Sequence, residues 1–262
     1  MTGSGGTHSF ALLRVRFVLA VALVAWAGAA LADTYAILSL IGDRITIVTP
    51  GRQIGSHLDQ NQYQVARLED SGFDDFTVRT AHVAIMAVRP GATTVPLRAR
   101  DPALYALRDA WLNSDSVDVR ALIAQVAEQL PAEPDARLLL IAPYKGEIEL
   151  KSDVGYRGRG KVGGLGFYLD SSTRMSRSDT FESSVGFLGV FANFQLLLID
   201  MKGSVALAHE RIVVGTTYPA ALAPDRAAWN ALTAEKKTDA LESLIKGEID
   251  RVVPVMLAPD RK

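Results

Sequence analysis

The residues that could do chemistry in this 262-residue chain are few, and the densest group is Gly158-Arg159-Gly160-Lys161-Val162-Gly163 with Arg157 just before it. The letters fit G-x-G-x-x-G, in which glycines let a backbone close on a phosphate at the start of a helix. The adjoining residues, Gly164 to Leu169, read as a strand, so a dinucleotide site is excluded and no cofactor is expected. A different use survives. Arg157, Arg159 and Lys161 alternate with glycines, so an extended course puts all three cations on one side while Gly158 and Gly160 admit an anion to the backbone. A second candidate is Asp170 to Gly186, polar and serine-rich, with Arg174, Arg177 and Asp179 as the contacts of a binding loop. A segment this long with no element of its own is either such a loop or disordered.

Enzyme patterns are missing. A Ser–His–Asp device needs a positioned histidine, and His57, His82 and His209 sit in no recognisable motif. The same three lack an H-x-x-x-H pair, and Glu69-Asp70 and Asp74-Asp75 lack the rhythm of a calcium loop, so no catalytic residue and no metal is expected. Gly42-Asp43 could open the Gly-Asp-Ser block of the SGNH hydrolases, but Arg44 stands where the serine belongs, and a turn accounts for the pair.

The stretch that must position these groups is Phe191 to Val214. Read with period two, Phe194, Leu196 and Leu198 share one face and Leu197 and Ile199 the other, which predicts a strand covered on both sides. Asp200 to Gly203 should turn it into an antiparallel partner from Ser204 to Val214, with Gly203 in the left-handed region. Upstream, Tyr35–Leu40 and Arg44–Thr49 read as a hairpin about Gly42-Asp43, and Gln62–Leu68 as a third strand. Helical spacing appears over 74–88, from Pro102 through Leu104, Leu107 and Trp111, and from a cap near Ser116 through Val119, Leu122, Ile123 and Val126. Val95 to Ala99 is a short strand, which gives Leu97 less weight in the core than Leu198. Arg137–Ala142, Glu147–Lys151 and Val162–Leu169 are strands, and Pro224–Leu232 is helical. A helix capped by Thr233 carries Leu241, Leu244, Ile245, Ile249, Val252 and Val253 and stops at Pro254. The order predicts an α+β fold, a mostly antiparallel or mixed sheet packed against amphipathic helices.

The N-terminus reads as a processing signal. Arg14 and Arg16 precede an apolar run from Phe17 that ends in Ala30-Leu31-Ala32, so residues 1–32 are expected to be a signal peptide cleaved before Asp33. An uncleaved anchor is the alternative, but the run is short for a bilayer core, which needs about 20 residues. Residues 33–262 are then one α+β domain, with a possible subdivision near 131–136. Loss of the two leader arginines takes the 28 basic residues to 26 against 29 acids, which argues against nucleic acid as a partner. With no cysteine, the fold relies on packing, and a lipid anchor through an N-terminal cysteine is impossible.

The order of strands, a hairpin at Asp200-x-Lys202-Gly203-x-Val205, and a C-terminal amphipathic helix resembles small α/β domains of bacterial envelope-assembly proteins. Examples are the TolB N-terminal domain and the lipoprotein activators of peptidoglycan synthases. Those domains tend to carry Asp-x-x-Thr-Gly-x-Val, where this chain has Lys202 in place of threonine, and the likeness spans about residues 137–253. The chain also resembles secreted proteobacterial proteins to which no chemistry is assigned. The resemblance implies a non-enzymatic envelope role. The sequence reading is therefore a periplasmic or secreted protein, with no stable membrane anchor after cleavage, that binds an envelope component or a protein partner. The alternative is a hydrolase with a non-standard site between segments 156–163 and 170–186.

Overall fold

In the computed structural model, residues 33–51, 61–68, 72–99, 101–114, 116–133, 135–153, 155–176 and 182–258 are described. They form β1 (Thr34–Ser39), β2 (Arg44–Thr49), β3 (Gln62–Arg67), α1 (Gly72–Val88), β4 (Thr93–Pro96), α2 (Pro102–Ser114), α3 (Val119–Val126) and β5 (Arg137–Pro143). Then come β6 (Lys145–Glu147), β7 (Leu150–Ser152), β8 (Gly155–Arg157), β9 (Lys161–Ser176), β10 (Ser183–Asp200), β11 (Val205–Pro219) and α4 (Ala234–Met256). Contacts divide the chain into Met1–Asp33 and Thr34–Lys262, and every described strand and helix belongs to the second unit. The expected signal peptide, residues 1–32, lies outside the described residues.

β10 organises the sheet. Along one edge it pairs with β11, and along the other it serves two neighbours in turn, β9 beside Ser183–Asn193 and β5 beside Phe194–Asp200, all antiparallel. β1 lies between β4 and β5 and is parallel to both, while β2 runs parallel to β9 and antiparallel to β3. The sheet is therefore mixed, and the fold is α+β. Phe194, Leu196 and Leu198 bury against a cluster that includes Phe73, Ala81 and Ile85 of α1 and Leu241, Ile245 and Ile249 of α4. Leu197 and Ile199 bury on the opposite face, in a cluster with Leu104 and Trp111 of α2 and Leu122 and Val126 of α3. Period two on a strand with helices on both faces produces this division.

Where β5 ends and β9 begins on the same edge of β10, backbone groups need other partners. Asn193 and Gln195, buried in an otherwise apolar run, meet that need. Asn193 Nδ2 donates to Val162 O at 3.1 Å and Gln195 Nε2 to Pro143 O at 3.3 Å, while Tyr144 N donates to Asn193 O at 3.0 Å. Gly166 has a spatial role of its own: a Cβ there would lie 2.0 Å from Thr46 O, so only glycine lets β2 and β9 approach at this register.

Several sequence expectations are corrected. β1 and β2 do not form a hairpin; β1 is too buried, on both faces, to be an edge strand, and it takes parallel neighbours instead. Gly203 is not the left-handed residue of the β10–β11 turn. Ser204 is (φ 50°), while a Cβ on Gly203 would meet only side-chain atoms, Asp200 Oδ2 at 2.7 Å and Val205 Cγ2 at 2.8 Å. The expected Glu147–Lys151 strand splits into β6 and β7, and Pro224–Leu232 has a 3-10 turn at Ala228–Ala231 in place of an α-helix. The α3 cap is Asp118, whose Oδ1 accepts from Ala121 N, and not Ser116. α4 passes Pro254, which forgoes its own i→i−4 bond, and ends two residues later at Met256. Leu97 is as buried as Leu198, both 4% exposed, because the chain after β4 continues its bonding to β1 through Leu97 N to Ile37 O.

Candidate functional site

β1 and β4 are adjacent and parallel, but the chain leaves them toward opposite faces of the sheet. β1 leads by way of β2 and β3 to α1, in the first core cluster, whereas β4 leads to α2, in the second. Diverging exits at the carboxyl ends of parallel strands leave a crevice, the place where open α/β sheets bind ligands. Here it is lined by Asp43, Arg44, Arg67, Leu68, Pro102, Tyr105, Ala106 and Asp109, and encloses about 410 Å³.

Its wall is fixed by charge. Arg108 of α2, with its side chain 1% exposed, donates from both terminal nitrogens to Asp43, from Nη1 to Leu40 O at 3.1 Å, and from Nε to Asp109 Oδ1 at 3.0 Å. Arg44 closes the ring, from Nε to Asp43 Oδ2 and from Nη2 to Asp109 Oδ2, each at 3.0 Å. Two carboxylates thus face two guanidiniums. Burial disfavours the Arg108 charge, but Asp43 and Asp109 outweigh it and hold the guanidinium protonated above its usual range. Burial likewise opposes the Asp109 charge, yet Arg108 and Arg44 hold its carboxyl below the usual range.

Behind the ring, Asp74 in the first turn of α1 ties down the β1 exit. Its Oδ1 accepts from Ser39 Oγ at 2.6 Å, Ile41 N at 2.9 Å and Gly42 N at 3.0 Å. Gly42 has to be glycine here, since a Cβ would lie 2.6 Å from Asp74 N. Burial pushes the Asp74 carboxyl up to about 6, against the pull of those three bonds and with a small push from Asp43. Tyr105, half-buried, is pushed up to about 12 by burial and then by the charges of Asp74 and Asp43, against Arg108, whose Cζ lies 5.0 Å from its ring centroid.

The basic glycine segment lies at the other end of the β2–β3 ribbon. Asn61 Nδ2 donates to Arg159 O at 2.6 Å, Tyr63 Oη approaches Lys161 O at 3.5 Å, and Ile148 N donates to Gly160 O at 2.9 Å. Gly158 and Gly160 have φ of 99° and 90°, so the segment is not extended as alternation of the cations requires. Arg159 and Lys161 are exposed, Lys161 Nζ standing 3.9 Å from Glu147 Oε1, whereas Arg157 is half-buried with its Nε enclosed.

The expected loop over 170–186 is mostly sheet: β9 runs to Ser176 and β10 starts at Ser183, so Arg174 sits opposite Val185 on a paired strand. The serines and threonines there stay extended by pairing across the hairpin, Ser176 with Ser183 and Met175 with Ser184. Asp170 organises the bulge at Val185/Phe187, accepting from Ser172 N, Thr173 N and Thr173 Oγ1 at 2.6–2.9 Å. Arg177 and Asp179 lie outside the described residues, as does His57.

His209 Nε2 is 2.8 Å from Gln195 Oε1; since the amide nitrogen of Gln195 is committed to Pro143 O, the oxygen must accept and His209 must donate. His82 Nδ1 pairs with Thr94 Oγ1 at 2.6 Å. Among the described residues no group of three or more His, Cys, Asp or Glu could hold a metal, and no helix is long and apolar enough to cross a membrane.

Sequence reasoning passed over the crevice. One signal was available: Leu104, Arg108 and Trp111 share a helical stripe, and an arginine at a core position of an apolar stripe announces a buried ion pair.

The fold and crevice define a mixed-sheet α+β protein with a parallel β4-β1-β5 unit. No protein-family model and no curated protein matches the chain. Among solved structures it aligns with the lipoprotein GNA1162 from Neisseria meningitidis at 8% identity, covering 84% of this chain and 97% of that one, with a TM-score of 0.28. A likeness of that size carries no argument about function.

Proposed function

We propose that this chain is exported, is cleaved between Ala32 and Asp33, and acts in the periplasm or outside the cell by binding an anionic envelope component without catalysis. The observation that supports this reading is the anchored basic segment. Its backbone is tied by Asn61, Tyr63 and Ile148, while the Arg159 and Lys161 side chains remain exposed. A tied backbone reduces the entropy lost on binding, and arginine can grip phosphate or carboxylate through two parallel bonds. Export rests on the charged lead, the apolar run and Ala30-Leu31-Ala32. N-terminal sequencing of the exported protein should read Asp-Thr-Tyr-Ala, and an intact Met1 in the membrane fraction would overturn this part.

Binding is tested by pull-down on peptidoglycan sacculi, lipopolysaccharide and phosphatidylglycerol vesicles. Wild type is compared with Arg159→Glu plus Lys161→Glu, both being exposed positions. Capture by wild type should weaken as salt rises, because the Debye length is only about 8 Å at 0.15 M, and should fall at least about tenfold in the double variant. Equal capture of the two proteins, or no effect of salt, would sink the reading.

A further inference from the structure

We propose that the crevice between the exits of β1 and β4 is a binding site for a monocarboxylate carried on a small apolar or aromatic body, held by Arg67 and Tyr105. It is a second site, separate from the basic glycine segment.

The carboxylates of the crevice are already engaged: Asp43 takes Arg108 and Arg44, and Asp109 takes the same two. Arg67 lines the same space, exposed, with no carboxylate partner among the described residues. Its position is held by the strand: it ends β3 opposite Arg44, and the next residue is locked by Leu68 N to Asp43 O at 2.9 Å. Tyr105 brings a second donor with no hydrogen-bond partner among the described residues, and its phenol stays protonated at any physiological pH. Two uncommitted donors over one cavity therefore match the two oxygens of a carboxylate.

The neighbouring charges decide how much negative charge fits. Asp43 and Asp109 stand on the wall, so a dianion such as phosphate meets two carboxylates with only one uncommitted guanidinium, whereas a monoanion leaves the crevice neutral. Leu68, Pro102, Ala106 and the Tyr105 ring give the remaining surface an apolar character. The cavity, about 410 Å³, falls within the usual range for small-molecule sites, roughly 300–1,000 Å³.

The test is calorimetric titration with amide-resolved NMR, using N-acetyl-phenylalanine, its carboxamide, and inorganic phosphate. At the crevice, wild type should bind the acid and neither of the others, with shifts centred on Leu68, Tyr105 and Ala106; phosphate held at the basic glycine segment would shift residues 157–161 instead. Arg67→Gln should weaken binding at least about tenfold and Tyr105→Phe about three- to tenfold, the ring being kept. Arg67 is exposed and Tyr105 half-buried, and unchanged thermal melts establish that the variants are folded. Absence of binding by wild type, equal shifts at Leu68, Tyr105 and Ala106 with the carboxamide or phosphate, shifts by the acid centred elsewhere, or unchanged affinity in Arg67→Gln would each overturn the assignment.

Discussion

Arg108→Met is expected to destabilise the protein by about 3–5 kcal/mol, the range seen when one partner of a buried ion pair is removed. The guanidinium is 1% exposed and satisfies Asp43, Asp109 and Leu40 O together. Methionine fills similar volume, so the loss reports uncompensated charge more than a cavity. Asp43, the less exposed of the two acids at 20% against 42%, should carry most of it. In urea melts, Asp43→Asn combined with Arg108→Met should therefore cost well under the sum of the single changes. Arg108→Lys should recover only part of the loss, because an ammonium cannot span two carboxylates and a carbonyl as a planar fork does. A loss below about 1 kcal/mol for Arg108→Met would mean that water replaces the guanidinium and that the ring is not structural.

The second large effect belongs to Asp74 and depends on pH. Its carboxyl stands at about 6 in the folded protein, whereas a free aspartate titrates near 3.8. The folded state therefore binds this proton more tightly than the unfolded state does. Below the unfolded value the group imposes no penalty; as pH rises toward 6 the buried charge destabilises the fold progressively, and above 6 the penalty is complete at about 3 kcal/mol. Asp74→Asn keeps an oxygen for Ser39, Ile41 and Gly42 and carries no charge, so its stability relative to wild type should rise between pH 4 and pH 6 and then level. Asp74→Ala should be destabilised at every pH, because two backbone N–H groups and a hydroxyl lose their acceptor. Parallel profiles for wild type and Asp74→Asn across that window would show that the carboxylate is charged at no cost.

Much of this architecture was legible because it rests on local periodicity. Leu197 and Ile199 against Phe194, Leu196 and Leu198 named the two faces of β10 correctly, and the α4 stripe from Leu241 to Val253 is buried as its spacing requires, with Leu244 at its rim. What period and propensity cannot express is which strand meets which. Tyr35–Leu40 and Arg44–Thr49 look like a hairpin to any reading of neighbours, but their partners come from residues 93–96, 137–141, 62–67 and 165–168. The crevice was hidden for the same reason. Asp43, Arg67 and Asp109 are unremarkable surface residues until β3 and α2 bring them together, and nothing near Asp74 in sequence marks its role because the donors to its carboxylate lie 32–35 positions away. The serine-rich stretch was misjudged because composition outweighed the pairing of Ser176 with Ser183.

The shared edge of β10 also dictates an order of events. Among the described residues, strands that precede Ser183 pair only as β4-β1-β5, as β3-β2-β9 with β6, and as β7 with β8; none of these groups pairs with another. A chain emerging N-terminus first therefore presents three unconnected ribbons before the strand that joins the two larger ones, and the third waits for β11. Sequence-distant closure of this kind is slow, and open strand edges in the meantime invite association with other chains. The emerging protein is thus at its most vulnerable until late, and it becomes a single cooperative body only when its final third arrives.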